Sequence, residues 1–153
     1  MLSVLNSKIS WYYMSVSASN LGKKGLRWKK IFVEKIPIPQ IPASQQKPFE
    51  TLVDYILFLK SQDNDTQSFY FEQIIDGMVY ELYFEKEIKQ AGCEILKHLQ
   101  DLPEITQEMS KEEKQKIIDK VFAKLHSENH PVRRNLEKMK ELESVKVVEG
   151  EIL

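Results

Sequence analysis

The sequence predicts a mainly α-helical protein of the α+β class, with one short strand near the N-terminus. Three observations predict this fold. After residue 44, apolar residues recur every three or four positions through most of the chain, as amphipathic helices require. Residues 26–36 are instead rich in β-branched and aromatic side chains. Three prolines separate the two regions, and proline cannot donate a backbone hydrogen bond in a central strand.

The first predicted element is a helix over residues 2–17. Its apolar residues lie three and four positions apart, which places them along one face. They are Leu2, Leu5, Ile9, Tyr12, Tyr13 and Val16. A polar loop containing two glycines follows over residues 17–25.

The next two segments complete a predicted N-terminal unit of residues 1–43. Residues 26–36 are expected to form either a short strand or an irregular extended segment, because their apolar residues do not alternate cleanly. Residues 36–43 are expected to be a stiff, extended connector on the surface. Pro37, Pro39 and Pro42 fix the backbone there and remove three hydrogen-bond donors.

The predicted helical region, residues 44–153, begins with a helix that follows Ser44. Pro48 lies early in it, and an apolar stripe from Phe49 to Leu59 follows at helical spacing. The polar stretch 62–66 ends this helix. A second stripe over residues 68–99 predicts one long helix or two shorter ones with a break near residues 84–85.

The C-terminal part carries a local start signal for a further helix. Ser110 and Glu113 have the spacing of a capping box, so a helix is predicted over residues 110–127. Residues 129–131, Asn-His-Pro, interrupt it, and a charged helix is expected over residues 132–142, before a short apolar run at 145–148.

Charge is distributed unevenly along the chain. The net charge is -1, but residues 20–36 contain six basic residues and one acidic residue, so this window carries +5 and the rest carries -6. The overall charge therefore gives no pull toward nucleic acid, whereas the basic window does. Its basic residues are Lys23, Lys24, Arg27, Lys29, Lys30 and Lys35.

Cysteine use and hydropathy indicate the setting of the protein. The single cysteine, Cys93, cannot form an internal disulfide, and no cysteine arrangement suggests zinc. No segment reaches the roughly 18 consecutive apolar residues that a membrane-spanning helix needs. A reducing, cytoplasmic setting without membrane insertion is expected.

Candidate catalytic and metal-binding residues are few. Neither the three histidines nor the carboxylate pairs converge in a pattern that a metal or acid–base site needs, and carboxylates on amphipathic helices usually face solvent. Cys93 lies on a helical stripe, where a buried, inert thiol is expected. No serine-histidine-aspartate set, phosphate loop or dinucleotide fingerprint is present. The chain is predicted to be non-catalytic by itself and to need no cofactor. The histidines and paired carboxylates concerned are His98, His126, His130, Asp76, Glu81, Glu112 and Glu113.

The basic window is the strongest candidate for a binding site. Lys23 and Lys24 lie between two glycines, so they are able to approach a phosphate backbone closely, and an arginine can also read guanine edges. The alternative, a solvated lysine-rich loop, is equally compatible with charge alone. The predicted DNA-binding residues are Lys23, Lys24, Arg27, Lys29 and Lys30. Aromatic residues 11–13 have the chemistry to stack on bases, but aromatics at helical spacing are more often core residues.

The order of these segments resembles a known family. The relevant motifs are Leu5-Asn-Ser-Lys8, residues 26–39 ending in Ile-Pro-Ile-Pro, residues 45–54 (Gln-Gln-Lys-Pro-Phe-Glu-Thr-Leu-Val-Asp), and residues 75–83 (Ile-Asp-Gly-Met-Val-Tyr-Glu-Leu-Tyr). Together they resemble the C-terminal part of the target-recognition region in TaqI-like adenine-specific DNA methyltransferases and type IIG restriction enzymes. The specificity subunits of type I restriction systems share the Leu-Asn-Ser helix and the Ile-Pro-Ile-Pro exit.

The resemblance implies recognition of a DNA sequence on behalf of a methyltransferase or nuclease module. It covers about residues 2–90, so residues 100–153 are an extension outside it. The Asn/Asp-Pro-Pro-Tyr signature of the methyltransferases and an S-adenosylmethionine loop are absent, and no catalytic residue is carried over. The expected partners are double-stranded DNA and a methyltransferase or restriction subunit, and the chain is expected to be a C-terminal piece of a restriction-modification protein.

Two other expectations remain open. The chain is alternatively a helical interaction module that docks on a partner subunit through its first helix and its acidic C-terminal helices. Self-association is also expected, because a truncated recognition domain exposes apolar surface and an unpaired strand edge.

Overall fold

The computed structural model describes residues 2–17 and 30–150. Within these two ranges the chain forms nine α-helices and one short 3-10 turn, and no strand. The helices are α1 (Leu2–Leu5), α2 (Lys8–Ser17), α3 (Lys30–Val33), α4 (Ala43–Ser61), α5 (Asp65–Tyr83), α6 (Glu85–Ala91), α7 (Lys111–His126), α8 (Pro131–Lys140) and α9 (Glu143–Val148). The 3-10 turn, Leu96–His98, lies between α6 and α7. The prediction of a mainly helical protein is confirmed.

Helices α4 and α5 form the centre of the fold and pack against each other more extensively than any other pair described. Each presents an apolar stripe to the core, as the sequence predicted. The rings of Tyr55 and Phe71 meet edge to face, with centroids 5.6 Å apart. The fully buried residues of this hairpin include Leu52, Tyr55, Leu59, Phe71, Ile74 and Met78.

The predicted break near residues 84–85 is confirmed. Helix α5 ends at Tyr83 and α6 begins at Glu85, with Phe84 between them. Glu81 then stabilises the chain beyond α6, because its Oε2 accepts the backbone N–H groups of Ile95 and Leu96 at 2.7 and 2.9 Å.

The predicted capping box is also confirmed. The Ser110 side chain accepts the Glu113 N–H at 3.2 Å, and the Ser110 N–H donates to Glu113 Oε2 at 2.8 Å. These two bonds satisfy N–H groups at the start of α7 that have no partner within the helix. Helices α7 to α9 contribute Ile118, Leu125, Val132, Met139 and Val145 to the same buried cluster as the α4–α5 hairpin.

The first predicted helix is divided in two. Helix α1 ends at Leu5 and α2 begins at Lys8. The Val4 carbonyl accepts the hydroxyls of Ser7 and Ser10, both at 2.6 Å. The Lys8 N–H, which would continue α1, donates instead to Asp76 Oδ1 at 3.1 Å. A tertiary hydrogen bond therefore replaces a helical one at this point.

The strand prediction for residues 26–36 is wrong where the structure describes this segment. Residues 26–29 lie outside the described residues, and Lys30–Val33 forms the helical turn α3. The Glu34 N–H donates to the Lys30 carbonyl at 2.9 Å, so the backbone groups pair locally rather than with another strand. Apolar contacts account for the β-like composition, because Phe32 packs against the buried pair Met14 and Ile36.

The proline-rich connector has no regular secondary structure over residues 37–42, as predicted. It is more than a surface spacer, because Ile38 and Ile41 are half-buried against the main core. The Tyr83 hydroxyl also donates a hydrogen bond to the Pro37 carbonyl. The connector is thereby held against the end of α5.

Candidate nucleic-acid interface

Helix α2 has one buried face and one exposed face. Ile9, Ser10 and Met14 are buried. Trp11, Tyr12 and Val16 lie on the other side and are 52%, 38% and 69% exposed. The expectation that the aromatics of this helix belong to the core is therefore wrong for Trp11 and Tyr12. Tyr12 and Val16 are four positions apart and share one side of α2, and Trp11 lies about 100° around the helix from Tyr12. We call these three exposed residues the aromatic face (Trp11, Tyr12 and Val16).

A small second core holds α2 against α3. Its buried residues are Met14 of α2 and Ile36 just beyond α3. Tyr13 and Phe32 are half-buried against this pair, so Tyr13 is the aromatic residue of α2 that does pack inward. The contact brings α3, which begins with Lys30, next to the helix that carries the aromatic face.

The other end of α2 is fixed by a cluster of charged and polar groups, which we call the Lys8 cluster (Lys8, Asp76, Tyr80 and Glu149). Lys8 donates twice, from its N–H to Asp76 Oδ1 at 3.1 Å and from Nζ to Glu149 Oε1 at 2.9 Å. The Tyr80 hydroxyl donates to the same Glu149 oxygen at 3.0 Å. The cluster therefore links α2 to α5 and to the end of α9.

Burial dominates the electrostatics of the Lys8 cluster. It raises the pKa of Asp76 to about 6, although the Lys8 N–H and the charge of Lys8 act in the opposite direction. Burial also raises the pKa of Tyr80, with the nearby carboxylates of Glu149 and Asp76 adding to the effect. The cluster borders a cleft of 300 Å³ that Arg133 and His126 also line.

The sequence did not indicate this cluster. The sequence predicts that the Asp76 carboxylate lies on a solvated face, whereas it is half-buried and accepts a hydrogen bond from a residue 68 positions away. The available signal is its position within the apolar stripe, between Ile75 and Gly77, both of which are buried.

Four of the five predicted DNA-binding residues, Lys23, Lys24, Arg27 and Lys29, lie outside the described residues. The fifth, Lys30, is the first residue of α3, and its side chain is 87% exposed. Its Nζ lies 3.5 Å from Glu34 Oε1. Such an exposed pair is weak, so Lys30 remains available to an anion at little cost.

Several of the other candidate catalytic and metal-binding residues are buried or hydrogen-bonded to the backbone. Cys93 is buried, its thiol lies 3.7 Å from the Ile88 carbonyl oxygen, and burial raises the pKa of the thiol. Glu81 and Glu113 accept backbone N–H groups, as described above. His130 caps α8 by accepting the Val132 N–H at 3.2 Å. Over residues 2–17 and 30–150, no group of three or more histidine, cysteine, aspartate or glutamate side chains is arranged to hold a metal ion.

Comparison with protein-family models, curated proteins and solved structures finds no match for this chain. Among the helices that the structure describes, none is both long enough and apolar enough to cross a membrane.

Proposed function

We propose that this chain is a DNA-recognition or accessory piece of a restriction-modification protein. It binds double-stranded DNA, and a methyltransferase or restriction subunit carries out the chemistry. The observation that carries the proposal is the aromatic face of α2, where Trp11 is 52% exposed on a helix that ends at Ser17, three residues before the +5 window begins.

Exposed aromatic and basic groups act on different parts of DNA. Lysine and arginine neutralise phosphates and supply most of the affinity that does not depend on sequence. Aromatic side chains contact bases, either by stacking or as wedges between base steps. Lys30 and Lys35 are both exposed, and α3, which begins with Lys30, contacts α2.

The contacts that hold α2 at both ends support a recognition role. The Lys8 cluster holds its first residue, and the second core holds Met14 near its end. A surface held at both ends loses little conformational freedom on binding, which favours affinity.

The surroundings of the candidate catalytic residues support a non-catalytic role. Cys93 is a buried thiol with a raised pKa, and a nucleophilic cysteine needs the opposite shift. Glu81 and Glu113 are engaged by backbone N–H groups. The chemistry is accordingly assigned to the partner subunit.

The test compares two exposed aromatic residues. Trp11→Ala should weaken binding of a mixed-sequence duplex, measured by fluorescence anisotropy, by about fivefold or more. Phe69→Ala is the matched control, because Phe69 is 61% exposed but lies near the start of α5 and is not part of the aromatic face. Equal affinities for the two variants would remove the aromatic face from the proposal.

A further inference from the structure

A groove runs beside α4. It consists of two adjoining cavities, of 450 and 380 Å³, which share Ser3 and Val53 among their lining residues. We call it the α4 groove. Among the described residues that line it, none belongs to the aromatic face or to the basic window, and residues 38–41 of the connector form one of its sides.

Apolar side chains form most of the lining. Leu57 is 62% exposed, although it lies on the helix that supplies much of the core. Single exposed apolar residues need no explanation, but a lined groove that includes one is typical of a binding surface. The main apolar residues of the groove are Val4, Phe49, Val53, Ile56, Leu57 and Ile75.

Every charged residue that lines the α4 groove within residues 2–17 and 30–150 is acidic. Glu50 and Asp54 lie along the first cavity, and Glu72 and Asp76 along the second. Glu50 and Asp54 are separated by one helical turn, so their carboxylates face the same side of α4.

The carboxylates at the first cavity repel one another electrostatically. Burial raises the pKa of Asp54, and the negative charges of Glu50 and Glu104 raise it further. Lys47 pairs with Glu104 and also attracts Glu50, but it is not among the described residues that line the groove. A cation supplied from outside would relieve this repulsion.

We propose that the α4 groove docks a basic amphipathic helix of a partner protein. The apolar stripe of that helix packs on the groove residues around Val53 and Leu57, and its lysine or arginine residues pair with Glu50 and Asp54. The stretch from Glu50 to Leu57 is about 10 Å long on α4, which corresponds to two turns of a partner helix. The described residues that line the groove do not include the aromatic face.

The test uses a labelled synthetic 14-residue peptide with leucines at helical spacing and lysines flanking them, titrated with the full chain. A second peptide has glutamate in place of each lysine. The lysine peptide should bind with micromolar affinity, and the glutamate peptide should not bind. No binding of the lysine peptide, or equal binding of both, would overturn the proposal.

Matched variants locate the site. The double variant Glu50→Gln and Asp54→Asn should weaken binding of the lysine peptide by about fivefold or more. Glu128→Gln with Glu143→Gln removes the same charge from exposed positions outside the groove and should change binding less than about twofold. If both double variants weaken binding equally, the peptide senses only net charge and the groove is not the site.

The apolar contribution is tested in the same way. Leu57→Ala should weaken peptide binding by about threefold or more, whereas Phe69→Ala should leave it unchanged. Light scattering across a concentration series tests whether the chain itself, rather than a partner helix, occupies the groove. Concentration-dependent self-association that Leu57→Ala abolishes would assign the groove to a second copy of this chain and overturn the partner-helix proposal.

Discussion

Two leucines on α4 allow the fold to be tested with a single kind of substitution. Leu52 is fully buried in the main core, and Leu57, five residues later, is 62% exposed. Replacing a buried leucine with alanine removes apolar contacts and leaves a cavity, which costs about 2–5 kcal/mol. Leu57→Ala should change the free energy of unfolding by less than about 0.5 kcal/mol, because its side chain already lies largely in solvent.

Urea denaturation followed by circular dichroism measures this difference. With a loss of about 3 kcal/mol and a slope of about 2 kcal/mol per molar urea, Leu52→Ala should lower the midpoint by about 1.5 M. Leu57→Ala should keep the midpoint of the unmodified chain within about 0.3 M. Equal shifts for the two variants, or a larger shift for Leu57→Ala, would mean that α4 presents a different face to the core and would refute this packing.

Two further substitutions test electrostatics and packing. The folded-state pKa of Asp76, about 6, lies above the unfolded value of about 3.9, so this carboxyl stabilises the folded chain as the pH falls from 7 through 6 toward 4. Asp76→Asn should lack this gain in unfolding free energy at lower pH. Urea unfolding of the unmodified chain and of the variant at several pH values measures the difference. Parallel curves of stability against pH would contradict the raised pKa of Asp76. At Gly77, an added Cβ would lie 2.4 Å from Leu136 Cδ2 and 3.0 Å from Ile95 Cδ1. Gly77→Ala should therefore lower the free energy of unfolding by about 1 kcal/mol, because crowding costs about 1–3 kcal/mol and the gain in helix propensity returns at most about 1 kcal/mol. In a double-mutant cycle with Leu136→Ala, the double variant should lose less unfolding free energy than the sum of the losses in the two single variants. Strict additivity would argue against this contact.

Local sequence signals predicted several helix boundaries, although α6 ends at Ala91 and the predicted stripe continued to residue 99. The capping box at Ser110 and Glu113 acts through residues three positions apart, so the pattern alone locates the start of α7. The break after Tyr83 and the irregular connector at residues 37–42 likewise follow from local patterns.

Tertiary contacts determined what the local patterns could not. The interruption after Leu5 depends on a hydrogen bond from Lys8 to Asp76, and Lys8 also pairs with Glu149, 141 residues away. The residues of α3 have the composition of a strand, yet Phe32 packs on a small core built from Met14 and Ile36. Composition describes side chains that suit a strand, whereas the packing partner decides which backbone they adopt.

The exposure of the aromatic face was also beyond sequence reasoning. Tyr12 has the spacing of a core residue, and the exposure of Trp11 and Tyr12 depends on which side of α2 meets the rest of the protein. Ile9, Ser10 and Met14 take the inner side, and two of the three have small or flexible side chains. The buried serine hydroxyl of Ser10 is accommodated because it donates to the Val4 carbonyl.

The salt dependence of DNA binding tests the central proposal most directly. We expect the full chain to bind a mixed-sequence duplex in an anisotropy titration, with log affinity falling by about 0.9 per phosphate contact for each unit of log salt concentration. The triple variant Lys23→Ala, Lys24→Ala and Arg27→Ala should bind more weakly and reduce this slope by about 2 to 3 units, with an unchanged urea midpoint. No binding at low salt, or the same slope for both chains, would contradict the assignment of the basic window to DNA.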